Sequence, residues 1–309
     1  MNTSSDNEYA GSREERIDAL DYDYANQPKE TVKNCDLCND YRFTRLTHKD
    51  RYGYPASTMA CNACGLTFLS PRLTPSAYGD FYNGVYRPLV SAYHGRLIDA
   101  VTIQDEQKQY AKDVADLVAS YVEPHRGKKF LDIGGSTGIV AVEFINRFGL
   151  QATVLDPAAA EIENASALGI DTISDIVENW DAENSEFPVV GMFQTIDHLL
   201  SVRGTFEKIR KALPDDGVFI VDIVDFRLAY LRNRSIEKAT KIDHPYSLTE
   251  ETTERYFAAT GFEVVHRVYG RDYLHVLYVC RPTEPVDLPN DKEAVRRYFR
   301  EIREIQSEC

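Results

Sequence analysis

Residues Lys128 to Gly138 read Lys-Lys-Phe-Leu-Asp-Ile-Gly-Gly-Ser-Thr-Gly, and this stretch constrains the fold more tightly than any other in the chain. Phe130, Leu131 and Ile133 make the apolar run of a central parallel strand covered on both faces. Gly134, Gly135 and Gly138 then let backbone approach a ligand where a Cβ would intrude. The helix that follows, from about Ile139 to Phe148, aims its first unpaired amides at whatever the turn cradles. About twenty residues on, Ala152 to Pro157 reads as a second strand ending at Asp156, a carboxylate placed to accept both hydroxyls of a ribose. The pattern predicts an α/β domain with a nucleotide-like ligand at the carboxyl ends of its strands.

Two kinds of ligand use such an arrangement, and the glycine spacing separates them. A dinucleotide turn reads Gly-x-Gly-x-x-Gly; aligning Gly135 and Gly138 with its last two glycines puts Ile133 at the first, a branched residue where the tight turn is made. Asp132 points the same way, since a carboxylate beside the loop repels a pyrophosphate and attracts a ligand carrying an ammonium and a sulfonium. The structural alternative is that Asp132 caps a turn and Asp156 caps the next helix, with Pro157 at its first position. The pattern apolar-x-Asp-x-Gly-x-Gly-x-Gly, matched at Asp132, Gly134 and Gly138 with Ser136 at the middle glycine, resembles the class I S-adenosylmethionine-dependent methyltransferases. The resemblance implies a Rossmann-like sheet, mostly parallel with an antiparallel last strand, and S-adenosyl-L-methionine as cofactor. Its implied contacts are Asp132, Gly134, Gly135, Gly138 and Asp156, with Asp175 and Ile176 at the adenine and Gln194 in the fourth strand.

The order of later elements fits. Short strands are expected at Asp171 to Ile173, Val189 to Ile196 and Val218 to Val224, with a helix over Thr205 to Leu213 that carries Phe206, Ile209 and Leu213 on one face. A helix over Leu248 to Thr260, closed by Gly261, precedes two strands, Phe262 to Tyr269 and Tyr273 to Cys280, joined by Gly270-Arg271-Asp272. Methyltransferases of this class close their sheet with such an antiparallel pair. The resemblance covers about Gly127 to Arg281.

Upstream, Cys35-x-x-Cys38 and Cys61-x-x-Cys64 are two knuckles separated by 22 residues, the spacing of a tetrathiolate zinc ribbon. Four thiolates complete tetrahedral Zn²⁺ and leave no position open, so the metal is expected to be structural. Disulfides or a redox pair are the alternatives; with no signal peptide read at the N-terminus, a reducing, cytoplasmic compartment is expected. Cys280 and Cys309 have no spacing relation to these four. A ribbon followed by Pro71 to Pro75, then Tyr82, Tyr86 and Arg87, and then a class I domain, is similar to methyltransferases of saccharide and secondary-metabolite biosynthesis, including deoxysugar C-methyltransferases. That resemblance implies that the ribbon and the connector residues Tyr78, Tyr82, Tyr86, Arg87 and Tyr93 help to form the acceptor pocket, and that the acceptor is a small molecule such as a sugar, a nucleotide sugar or a related biosynthetic intermediate. Unlike those sugar enzymes, the chain has only about thirty residues after its last expected strand.

The boundaries implied are a loose or disordered tail over 1–30, the ribbon over 31–75, a connector and long helix (Leu97 to Val122) over 76–126, the cofactor domain over 127–285, and a solvated C-terminal helix over 286–309. Forty-nine acidic against thirty-five basic residues give a formal charge of −14, which disfavours a nucleic-acid acceptor. No apolar run approaches the length needed to span a bilayer. His198 after the fourth strand, His244 in Asp243-His244-Pro245, and Tyr86 are the candidate catalytic residues, a neutral imidazole being able to take a proton from an oxygen or nitrogen acceptor. Asp222 and Asp225, after the fifth strand, are candidates to line the pocket. Each histidine can equally be a structural hydrogen-bond partner of its acidic neighbour. Two rival functions stand beside methyl transfer: a nicotinamide-dependent enzyme, and a zinc-dependent binding protein with a degenerate methyltransferase domain.

Overall fold

In the computed structural model, which describes residues 9–287 and 289–307, the apolar runs of the sequence become one seven-stranded sheet. We number its strands β1 (Lys129–Ile133), β2 (Gln151–Leu155), β3 (Asp171–Ile173), β4 (Val189–Met192), β5 (Val218–Val224), β6 (Phe262–Tyr269) and β7 (His275–Pro282). Their spatial order is β6-β7-β5-β4-β1-β2-β3. The pairs β1–β2, β1–β4, β2–β3 and β4–β5 are parallel, while β7 runs antiparallel to both β5 and β6. The strand order reverses at β1, so the crevice above its carboxyl end, between the loops after β1 and β4, is where such sheets bind ligands.

Helices cover both faces. Ile103–Val122 and Ile139–Phe148 pack through Val114, Val118 and Phe144 against one, where Phe130 of β1 meets them; Val202–Ala212 and Glu250–Thr260 cover the other through Phe206, Ile209, Tyr256 and Phe257. This is the mostly parallel, Rossmann-like sheet with an antiparallel last strand that the resemblance implies. The fourth strand is shorter than expected: it ends at Met192, because Gln194 takes positive φ (53°) and its N–H turns to the Asp222 carboxylate, 2.5 Å away.

The cysteine segment forms a three-stranded antiparallel ribbon, Phe43–Thr47, Thr58–Cys61 and Thr67–Leu69, extended to four by Tyr246–Ser247 from the large domain. Helices Pro75–Gly84 and Tyr86–His94 follow and bridge the ribbon to the sheet domain.

Two expectations at the ends are corrected. Residues 9–30 are not a loose tail: Ser12 and Glu15 form a capping box for the helix Arg13–Asp18, Ile17 and Tyr24 are buried against Tyr78, Phe81 and Leu89, and Lys29–Glu30 pairs with Arg72–Leu73. Aliphatics are scarce there, but tyrosine bodies supply the apolar area. Residues 1–8 lie outside the described residues. The C-terminal helix, Lys292–Ser307, is not solvated all round. Val295, Tyr298, Ile302 and Ile305, three or four apart, are buried along one face, the last three beside Leu46, Phe226 and Tyr230, and Arg227 pairs with Glu301 at 2.8 Å. Cys280 is fully buried in β7, whereas Cys309 lies outside the described residues. No helix among the described residues is long and apolar enough to cross a membrane.

Candidate functional site

The glycine turn after β1 is shaped first by the protein around it. Gly134 has φ 70°, and a Cβ there would stand 2.3 Å from the Thr195 side chain; at Gly135 it would meet the Asp132 carboxylate at 2.7 Å, and at Gly138 the Ile170 methyl at 2.7 Å. Ser136, at the position of the missing glycine, also takes positive φ (51°). Its N–H donates to Asp156 Oδ2 (3.0 Å) and its hydroxyl to Glu161 Oε2 (2.9 Å), bonds that offset the cost of a left-handed conformation. Glu161, in the helix Ala159–Ala167, also receives Nε and Nη2 of Arg87 at 2.9 and 2.7 Å. Arg87 thereby ties the connector helix to the loop.

Asp132 and Asp156 stand near the ends of neighbouring strands; Asp156 lines the main cleft, and Asp132 lies buried beside a smaller adjoining pocket that shares Gly134, Ser136 and Gln194 with it. Asp132 is 1 % exposed and neither carboxylate oxygen has a hydrogen-bond partner, so burial, reinforced by Asp156, pushes its pKa up to about 8. Burial raises Asp156 to about 6 against the N–H bonds of Ala158 and Ser136, which favour its charged form. The capping alternative is not realised: the helix after β2 starts at Ala159 with Ala158 as its uncapped N-cap, so Pro157 lies ahead of it, and Asp156 only turns the chain by accepting from the Ala158 N–H. Gly134, Ile176, Val177 and Gln194 line the same cleft. Asp175 does not; its carboxylate holds the Ile176 N–H and the Asn179 amide. Gly138 lies behind the loop, packed on Ala165 and Ile170.

At the far end of the cleft stand Tyr82, Tyr86 and His198. Tyr82 and Tyr86 meet the His198 ring edge to face, with centroids 5.8 and 6.0 Å away. His198 Nδ1 lies 2.9 Å from the Asp243 carbonyl oxygen, which only accepts; Tyr82 O–H also donates to that carbonyl, at 3.1 Å. This geometry favours the proton on Nδ1 and leaves Nε2 with a free lone pair. Burial lowers the pKa of His198 and keeps the ring neutral. His244 packs on His198 at 4.7 Å but opens to a neighbouring cleft with Arg51, Asp197 and Lys241, and its Nε2 accepts from Lys241 Nζ at 3.2 Å. The two histidines are therefore adjacent yet face different spaces.

Other expected residues have structural work. Tyr93 lies away from the cleft, where it packs on Tyr52 and accepts from Arg51. Asp222 sits beneath the loop, bonded to Gln194 N–H and Tyr110 O–H, and Asp225 caps the helix Phe226–Asn233. Sequence reasoning missed Glu161 and Lys241: Glu161 lies 74 residues from Arg87, and no local pattern marks either as part of a site.

The four cysteines converge within 4.8 Å of one another, with Cys35 Sγ 3.5 Å from Cys64 and Cys38 Sγ 3.6 Å from Cys61. Thiolates at 2.3 Å from a tetrahedral zinc lie about 3.8 Å apart, so the cluster has the dimensions of such a site.

Among solved structures, magnesium protoporphyrin IX methyltransferase from Synechocystis with bound SAH is similar at TM-score 0.53 and 10% identity, over 68% of this chain and 100% of that chain. An S-adenosylmethionine-dependent methyltransferase from Clostridium acetobutylicum gives TM-score 0.48 and 13% identity, over 66% and 99%. No curated protein matches the chain. A family model described as a methyltransferase domain matches residues 105–267, from the long helix that backs the sheet to the closing antiparallel pair. The strand order, the glycine turn and that match, which spans more than half of the 309 residues, agree: the chain belongs to the methyltransferase domain family.

Proposed function

We propose that the cleft binds S-adenosyl-L-methionine and that the protein transfers its methyl group to a small-molecule acceptor, a sugar or a related biosynthetic intermediate. The observation that carries this is Asp132, a buried carboxyl group without a hydrogen-bond partner, beside Asp156 and Glu161 in a region where Arg87 supplies the balancing cation. Asp156 and Glu161 outnumber the one guanidinium, and Asp132, protonated in the empty site, gains its charge most readily beside a cation; the set favours a cationic ligand and disfavours a pyrophosphate. Bound there, the cofactor supplies a methyl group on a positively charged sulfur. Asp156 and the Gly134–Gly135 turn would hold its ribose and amino-acid portions, Ile176 its adenine, and Gln194 the floor beside β4.

Methyl transfer needs the acceptor aligned behind the methyl carbon and water kept out. Tyr82 and Tyr86 form an aromatic wall at that end, and His198, with Nε2 unprotonated, is the group best placed to take a proton from an acceptor hydroxyl or amine. His244, which opens to the neighbouring cleft and accepts from Lys241, would support the His198 ring and not touch the acceptor. The thiolate cluster fits a structural Zn²⁺ held by Cys35, Cys38, Cys61 and Cys64. A net charge of −14 favours a small acceptor over nucleic acid.

Calorimetric titration of the purified protein with S-adenosylmethionine, S-adenosylhomocysteine and NAD tests the reading. Binding of the first two in preference to NAD is expected; preference for NAD would replace methyl transfer with nicotinamide chemistry.

A further inference from the structure

We infer that Asp36 is a positioning residue for the acceptor side of the site, fastening the first cysteine knuckle to the segment that carries His198. The inference rests on the function proposed above and concerns a residue that does not line the cleft.

Asp36 lies between Cys35 and Cys38, and its carboxylate is fully used by the large domain. Oδ1 accepts from the Ser201 hydroxyl at 2.7 Å; Oδ2 accepts from the Arg203 N–H at 3.0 Å and the Tyr256 hydroxyl at 2.9 Å. Arg203 returns the contact, donating from Nε to the Asp36 carbonyl and from Nη2 to the Leu37 carbonyl. Ser201 is the N-cap of the helix Val202–Ala212, so Asp36 places a negative charge where that helix has unpaired amides. His198 is three residues upstream, in the short turn Ile196–His198.

The same module grips the other histidine. Thr67 and Phe68 pair with Ser247 and Tyr246, the Leu69 N–H donates to the carbonyl of Pro245, next to His244, and the Tyr246 hydroxyl crosses to the Leu200 carbonyl at 3.1 Å. Both histidine-bearing segments are thus braced to the cysteine module and to each other. The cofactor turn is braced differently, by Asp156, Glu161 and Arg87. A change at Asp36 should therefore move the histidine pair and spare the turn.

The test uses the full-length protein with isotope-labelled histidine rings, whose NMR signals report each imidazole, together with calorimetric titration of S-adenosylhomocysteine. Asp36→Asn keeps the size of the side chain but turns a donor toward Arg203 N–H or Tyr256 O–H. Signals of His198 and His244 should shift, those of His125, His266 and His275 should stay, and Kd should remain within about twofold, as for a site with no shared partners. An unmoved histidine pair, or a Kd weakened about tenfold or more, would overturn the inference. If Asp36→Asn does not fold, Arg203→Ala, at a side chain 34% exposed, is judged by the same criteria. Failure of the wild-type protein to bind S-adenosylhomocysteine overturns the proposed function, and this inference with it, before any substitution is made.

Discussion

A carboxyl group sealed from water with both oxygens unpartnered destabilises the chain that holds it, and Asp132 is such a group. Its pKa, near 8 when folded, exceeds the unfolded value near 4, so the folded state binds more protons across that window. The stability Asp132 contributes in its protonated form is complete below pH 4 and is lost progressively as pH rises toward 8. Asp132→Asn removes that ionisation. It should stabilise the unliganded protein by about 1–4 kcal/mol at pH 7.5, with the gap closing toward pH 4, while weakening S-adenosylmethionine binding about tenfold or more. Urea titrations of both proteins at several pH values check the first part and calorimetry the second; a variant that is more stable and binds equally well would remove Asp132 from the site. Asp132 and Asp156 were legible in the sequence because each ends a strand at fixed distance from the glycines. Glu161 was not, because what places it is Ser136, whose hydroxyl reaches it only after the loop has turned.

Between the residue and the molecule, the connector helix Tyr86–His94 shows how an element is held over a site. Leu89 and Ala92 bury its apolar side, and Arg87 fixes its first turn to Glu161, with side-chain exposures of 21% and 6%. In a pair this enclosed, removing the cation strands a charge. Arg87→Ala should cost about 2–4 kcal/mol of stability, and adding Glu161→Gln should restore most of it, because the uncompensated carboxylate is then gone. Denaturant unfolding of the single and double variants measures both; a loss below about 0.5 kcal/mol, the level of an exposed pair, would show that the helix is held by its apolar side alone. Elements were legible where periodicity was strong, as for β1, β2, β5 and the helix Ile139–Phe148. They were misjudged where burial falls on tyrosines, as in residues 9–30, or where charged residues interrupt a narrow apolar stripe, as at Val295, Tyr298, Ile302 and Ile305.

At the scale of the whole molecule, the two cysteine knuckles do not stand apart from the sheet. Cys35, Leu37, Cys61, Leu66 and Phe68 belong to the same apolar core as Phe206, Tyr246 and Tyr256, and the ribbon takes its fourth strand from the large domain. A structural zinc contributes on the order of 10 kcal/mol or more to a module that folds around it. Because this module shares its core, a zinc held by the proposed four-cysteine site should stabilise the entire fold. The Cys-x-x-Cys spacing revealed the cluster; the shared core was hidden, since its contacts join residues 30–70 to residues 200–260 with no local signature. Scanning calorimetry should therefore give one unfolding transition for the purified protein. Cys61→Ser should lose bound zinc by elemental analysis and lower that same transition, at a cost above about 3 kcal/mol, without splitting it. Two resolved transitions, only one of them sensitive to Cys61→Ser, would mean that the ribbon folds as a separate unit whose metal reports nothing about the sheet.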